Sequence, residues 1–107
     1  MTTDVFAEVC GFDKLTGETP RKIKGAFAGD LLSWAMSRVE SGDVWFTIMG
    51  NINTVAVASL SECACVVLCH SAALAEDAKL RAEREDITIL TTELPIYEAV
   101  TLFNSKR

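Results

Sequence analysis

The strongest constraint on this fold is a set of three short, nearly unbroken apolar runs separated by helix-forming stretches. Val44–Met49 is apolar except for Thr47, Ala64–Cys69 is apolar throughout, and Ile87–Leu90 is interrupted only by Thr88. A strand with one face in water alternates apolar and polar residues, whereas a strand covered on both faces reads as continuous Val, Ile and Leu. The segments between the runs carry helical patterns. Thr54–Cys63 reads as a helix with Asn53 as its cap, despite the β-branched Thr54, Val55 and Val57, because Ser59, Ser61 and Glu62 break any strand alternation. Ala72–Arg84 is rich in helix formers, with Leu74, Ala78 and Ala82 inward and Glu76, Lys79, Arg81 and Glu83 outward. Pro95 opens a last helix through Phe103. Strands alternating with helices predict a parallel sheet covered by helices, with right-handed crossovers.

The first half adds shorter elements. Thr3–Cys10 reads as a helix with a Val5, Phe6 and Val9 stripe, stopped by Gly11. Phe12–Leu15 and Ile23–Phe27 are candidate brief strands, with Thr16-Gly17 as a turn between them. Asp30 is a candidate N-cap for a helix over Asp30–Glu40, whose apolar face would be Leu31, Trp34, Ala35 and Val39. Trp34 and Trp45 are assigned to the core, as are Met36 and Met49, and Glu98 is assigned to the solvent face of the last helix. The expected fold class is α/β, a three-layer α/β/α domain over residues 1–107 with a mainly parallel sheet of about four strands.

Charge narrows the function. The formal net charge is −5, and Arg21, Lys22 and Lys24 form the main basic cluster. Neutralising phosphates requires larger basic clusters, so neither nucleic acid nor an anionic membrane surface is an expected partner. No apolar run approaches the roughly 20 residues of a membrane span. Met1-Thr-Thr-Asp lacks the basic start of a secretory signal, which gives a cytoplasmic expectation.

Chemistry-bearing motifs are sparse. No phosphate-binding Gly-x-x-x-x-Gly-Lys loop, no Gly-x-Gly-x-x-Gly and no Gly-x-Ser-x-Gly elbow occurs. Cys63, Cys65 and Cys69, followed by His70, could be read as metal or redox ligands. On one strand face, however, they would stand about 6–7 Å apart per two residues, too far to converge on an ion. Buried, reduced, metal-free thiols are the expectation, and no cofactor is called for. Cys69 and His70 would point to opposite faces, which disfavours a nucleophile–base pair. Asp30 is read as a cap rather than an acid.

A site is then a matter of position. Ligands of open parallel sheets bind beyond the carboxyl ends of the strands, near helix N-termini. Those ends should carry Asn51 and Asn53, His70 and Ser71, and Thr91 and Thr92. These six are the candidate ligand-binding residues, for a nucleotide or another anion held nearer Asn51 and Asn53 because Glu93 would repel it elsewhere. Turn and cap chemistry is the competing explanation of the same residues.

Several stretches also resemble a known family. Gly25-x-x-Ala28-Gly29-Asp30-Leu31-Leu32-Ser33, Gly42-Asp43-Val44-Trp45-Phe46-Thr47, Asn53-x-Val55-Ala56-Val57-Ala58 and Ile87-x-Ile89-Leu90-x-Thr92-x-Leu94-Pro95-x-x-Glu98-Ala99 are similar to the DRTGG domain family over roughly residues 3–103. The resemblance implies a fold like the N-terminal domain of HPr kinase/phosphorylase. It also implies a non-catalytic accessory role, often as a dimer. The literal Asp-Arg-Thr-Gly-Gly string is absent. On both grounds the expected function is a regulatory or protein-interaction module, a homodimer with a possible protein partner. A small-ligand sensor is the alternative, and a metal-dependent enzyme comes last.

Overall fold

A computed structural model describes residues Met1–Arg107. The chain runs α1 (Thr3–Cys10), β1 (Asp13–Thr16), β2 (Gly25–Ala28), α2 (Leu32–Arg38), β3 (Asp43–Thr47), α3 (Ile52–Ser61), β4 (Cys65–Leu68), α4 (Glu76–Arg84), β5 (Ile89–Thr91) and α5 (Ile96–Lys106). Five strands form one sheet in the order β1-β5-β4-β3-β2. β2 to β5 are parallel, and β1 pairs antiparallel with β5.

The parallel strands are sequential, so crossovers of one hand must place their helices on one face of the sheet. Ala35 and Val39, Val55, Val57 and Ala58, and Ala78 and Ala82 accordingly pack with Trp45, Val66, Leu68 and Ile89. The opposite face holds Val44, Phe46, Cys65, Val67 and Leu90 against α1 and α5. There Phe6 meets Phe103 and Phe12 edge-on, at centroid separations of 5.2 and 5.4 Å. That geometry sets the positive ring edge against the negative face of its neighbour. The architecture is α/β/α in three layers, as the continuous apolar runs imply. β3 and β4 are buried at every position.

Several local expectations are corrected by long-range contacts. Gly11 stops α1 in the left-handed region (φ 70°), but Val5 and Val9 are exposed, and the buried residues of the helix are Thr3 and Phe6. Asp30 does not cap α2. Its Oδ1 instead accepts from Thr47 Oγ1 (2.7 Å) and the Ile48 amide (2.9 Å), and α2 begins at Leu32 without a side-chain cap. Trp45 is fully buried, its indole N–H donating to the Gly29 carbonyl at 3.0 Å. Trp34 and Met36 are not core residues: they are 55% and 63% exposed, because the two short helices α2 and α3 leave the outer surface of α2 uncovered.

α3 starts two residues early. Asn51, not Asn53, is its cap, accepting from the Thr54 amide at 3.1 Å. α4 starts four residues late, since His70 and Ser71 adopt left-handed φ (57° and 55°) and the following residues run across the β3–α3 turn. Cys63 lies on the α2–α4 side while Cys65 and Cys69 lie on the other, because the chain turns before entering β4. No helix is long and apolar enough to cross a membrane.

Candidate functional site

The carboxyl edge of the sheet collects the loops that leave β2, β3, β4 and β5. Because β1 runs the other way, the end of α1 and the start of β1 also arrive there. α4 leaves β4 on one face and α5 leaves β5 on the other, which creates the divergence at which α/β sheets form ligand crevices. Hydrogen bonds close much of this divergence. The His70 amide donates to Leu94 O (2.9 Å), the Ser71 amide to Thr92 O (3.0 Å) and the Thr92 amide to Leu68 O (3.0 Å). Amides that could have cradled an anion are thereby spent on neighbouring turns.

What stays open is a cleft of about 510 Å³ on the β1 side of β5. Ser71, Thr91 and Thr92 line it, together with Asp13, Glu93 and the backbone turn at Cys10-Gly11. Thr92 Oγ1 accepts from the Leu94 amide at 3.2 Å and keeps its own proton to donate. Two carboxylates face this space, so it suits a polar ligand with donors of its own better than a bare phosphate. Asp13 was not among the residues expected at the site. Pairing β1 antiparallel to β5 puts it there, and a four-residue strand carries no direction signal.

Asn51 and Asn53 lie elsewhere, at the α3 N-terminus beyond the β4–α4 loop. Asn51 Oδ1 is engaged as the cap, while Asn53 and His70 are exposed. A Cβ on Gly50 would sit 1.9 Å from Ala73 O, and the Ala75 amide donates to Gly50 O at 2.8 Å. The β4–α4 loop is thus pressed against the turn that precedes α3. Of the six residues expected at one edge, Ser71, Thr91 and Thr92 line the cleft, Asn51 and Asn53 lie at the start of α3, and His70 stands exposed with its amide on Leu94 O.

A larger cleft of about 670 Å³ lies at the opposite edge, lined by Glu18, Glu83 and Asp86 with Lys14. Its Asp86 carboxylate already accepts from the Glu18 and Thr19 amides (2.7 and 3.4 Å) and lies 3.9 Å from Arg21. These contacts, the amides first, hold the carboxyl down at about 2. They tie the β1–β2 connection to the start of β5, a structural task.

The thiols sit in unreactive settings. Burial, assisted by the Asp43 charge, pushes Cys63 up to about 12. Burial and then the Asp30 carboxylate push Cys69 to about 11, and fully buried Cys65 lies well above its ordinary value. A thiolate is the nucleophile and the metal ligand, so these shifts work against both roles. Cys69 is buried while His70 is exposed, and the two form no pair. No three His, Cys, Asp or Glu side chains converge as a metal site would require.

No protein-family model matches the chain, and no curated protein matches it in sequence. Among solved structures it is similar in fold to the CBS and DRTGG domains of the regulatory region of Clostridium perfringens pyrophosphatase, in complex with the activator diadenosine tetraphosphate. The TM-score is 0.76 over 95% of this chain, at 11% sequence identity. The chain spans 45% of the length of that structure. At this identity the likeness is one of fold.

Proposed function

We propose that this chain is a non-catalytic regulatory module of the DRTGG type that works as a homodimer in the cytoplasm. The observation that carries the reading is a contrast between chemistry and surface. The three buried thiols are raised away from ionisation and no thiol, imidazole and carboxylate groups converge, whereas large apolar side chains stand in water. Leu31, Trp34, Met36 and Leu60 are 60%, 55%, 63% and 81% exposed, all contributed by or adjoining α2 and α3. Apolar side chains left in water along the α2–α3 layer of a small domain mark an interaction surface, and a domain of this size gains burial from a subunit partner. Likeness in fold to the regulatory region of a pyrophosphatase supports a regulatory role. Sedimentation equilibrium at micromolar concentration tests it: the expected species is twice the 11.6 kDa chain mass, and a monomer across that range refutes the dimer.

A second reading is favoured by the cleft beside β5. A nucleotide or other polar anion would meet the hydroxyls of Ser71, Thr91 and Thr92, and the similar pyrophosphatase region is complexed with a dinucleotide activator. Asp13 and Glu93 oppose a phosphate in this cleft, so a nucleotide would enter by its base or sugar, with its phosphates left outside in solvent. Calorimetric titration with diadenosine tetraphosphate and with AMP checks this. Binding weakened by Thr92→Ala in folded protein supports the cleft, and binding indifferent to Ser71, Thr91 and Thr92 replacements removes it.

A further inference from the structure

We infer that the pocket between the Met1–Thr3 segment and the last turn of α5 binds a compact anion, a free phosphate monoester with a short apolar body. The pocket measures about 210 Å³ and is lined by Met1, Ile23, Lys24, Phe103, Lys106 and Arg107. Three of these six are cations and none is a carboxylate, in a chain whose 15 acidic residues outnumber its 10 basic ones. The ion pairs of the chain join Arg21 to Asp86 and Arg81 to Glu85, so no carboxylate side chain neutralises Lys24, Lys106 or Arg107.

Long-range bonds hold the parts of the pocket in place. The Thr3 amide donates to Arg21 O and the Ile23 amide to Met1 O, both at 2.9 Å, around the antiparallel bridge of Thr2 with Lys22. This ribbon sets Ile23 against the core cluster that contains Phe103. The Lys24 amide donates to Gly42 O at 2.8 Å, and a Cβ on Gly42 would meet Lys24 Cγ and Cδ at 2.8 Å. The lysine stem is therefore laid along the turn before β3. The Arg107 guanidinium lies 5.1 Å from the centre of the Phe103 ring, whose negative face attracts it. Ile23 and Phe103 supply an apolar floor, and Lys24, Lys106 and Arg107 a cationic rim.

A helix C-terminus attracts cations by itself. That of α5, however, is equivalent to about half a negative charge, against three full positive side-chain charges. One lysine more than offsets it, and Lys24 arrives from a different part of the chain, just before β2. The surplus is a repulsive arrangement that a doubly charged anion relieves, and a phosphate monoester carries about −1.5 to −2 near neutral pH. Arg107 offers the forked donors that match phosphate oxygens, while Lys24 and Lys106 add point charges. Size sets the body of the ligand. At about 30 Å³ per water the pocket has room for roughly seven waters, enough for a phosphate and a short apolar group on Ile23 and Phe103 but not for a nucleotide. The cleft beside β5, with Asp13 and Glu93, has the opposite charge and calls for a different ligand.

Phenyl phosphate is the probe, titrated into the full chain while amide and methyl NMR shifts are followed. The expected shifts centre on Ile23, Lys24, Phe103 and Lys106, with affinity about tenfold or more above that of inorganic phosphate or of phenol. Lys24→Gln and Lys106→Gln should each weaken binding about tenfold, as loss of a charge-assisted hydrogen bond does. Lys79→Gln, an exposed cation of α4, should leave it unchanged. Neither pocket variant should lower Tm, since each relieves repulsion. Vesicles containing phosphatidic acid, whose headgroup is the same monoester, should not pellet the protein. Shifts centred elsewhere, an equal loss in Lys79→Gln, or inorganic phosphate binding as tightly as phenyl phosphate overturns the site. A lower Tm with unchanged binding in Lys106→Gln also overturns it, being the mark of a lysine that only offsets the helix end. Pelleting with the vesicles overturns the assignment to a free ligand.

Discussion

Replacing Gly50 by alanine tests the packing that seals the α3 N-terminus. The added methyl would lie 1.9 Å from Ala73 O, 2.9 Å from its carbonyl carbon and 3.2 Å from Leu74 Cα. All three are main-chain atoms, so no side-chain rotation relieves the contact. The β4–α4 loop must retreat by more than about 1 Å to regain van der Waals distance. That retreat breaks the Ala75 N–H to Gly50 O bond, at a net cost of about 0.5–1.5 kcal/mol. Overpacking strain adds about 1–3 kcal/mol. Lower entropy of the unfolded chain gives back about 0.4–1 kcal/mol. The expected loss is about 2–3 kcal/mol, a large part of the roughly 5–15 kcal/mol that holds a domain together. Urea melts should show a lower midpoint at unchanged slope, and Tm should fall by about 10–20 °C. Exchange of the Ala75 amide should accelerate beyond the global loss. Gly29→Ala is the control, since its methyl would meet only the Phe27 ring, which can swing aside. A Gly50→Ala protein that loses less than about 1 kcal/mol and keeps its Ala75 amide protected would refute the argument.

Asn51→Ala should cost about 1 kcal/mol in urea melts while Asn53→Ala stays within a few tenths, and equal losses would show that the cap is not Asn51. The Asp86 carboxyl is held at about 2 in the folded state, below its ordinary value. Its contribution to stability is therefore present above the ordinary carboxyl pKa and lost as pH falls toward about 2. Asp86→Asn should flatten the acid limb of the stability profile in that window, and an unchanged limb would remove Asp86 as a cause. Burial raises all four thiols, Cys63 to about 12 and Cys69 to about 11, so a thiol reagent at pH 8 should modify half-buried Cys10 first and slowly, and the other three only upon unfolding. Rapid modification of two or more thiols in folded protein would contradict their burial.

The sequence by itself determined the layers. Residues covered on both faces must be apolar in succession, so Val44–Phe46 and Cys65–Leu68 declare buried strands wherever the chain goes. Gly11 declares a helix end because the left-handed conformation it takes is strained for other residues. The candidate edge follows from strand polarity alone. Tertiary structure decided everything that depends on a choice between partners. Asn51 and Asn53 are equally competent caps, and only the starting point of α3 distinguishes them. Asp30 has a helix N-terminus beside it in sequence, yet the hydroxyl and amide at the end of β3, seventeen and eighteen residues away, win its carboxylate. Leu31, Trp34 and Met36 make α2 apolar on several sides, so periodicity cannot say which side faces the core. Asp13 reaches the cleft because β1 runs against β5, its one neighbour in the sheet. Local pattern records how apolar an environment must be, whereas the identity of the neighbour is a long-range property that forms only when the layers pack.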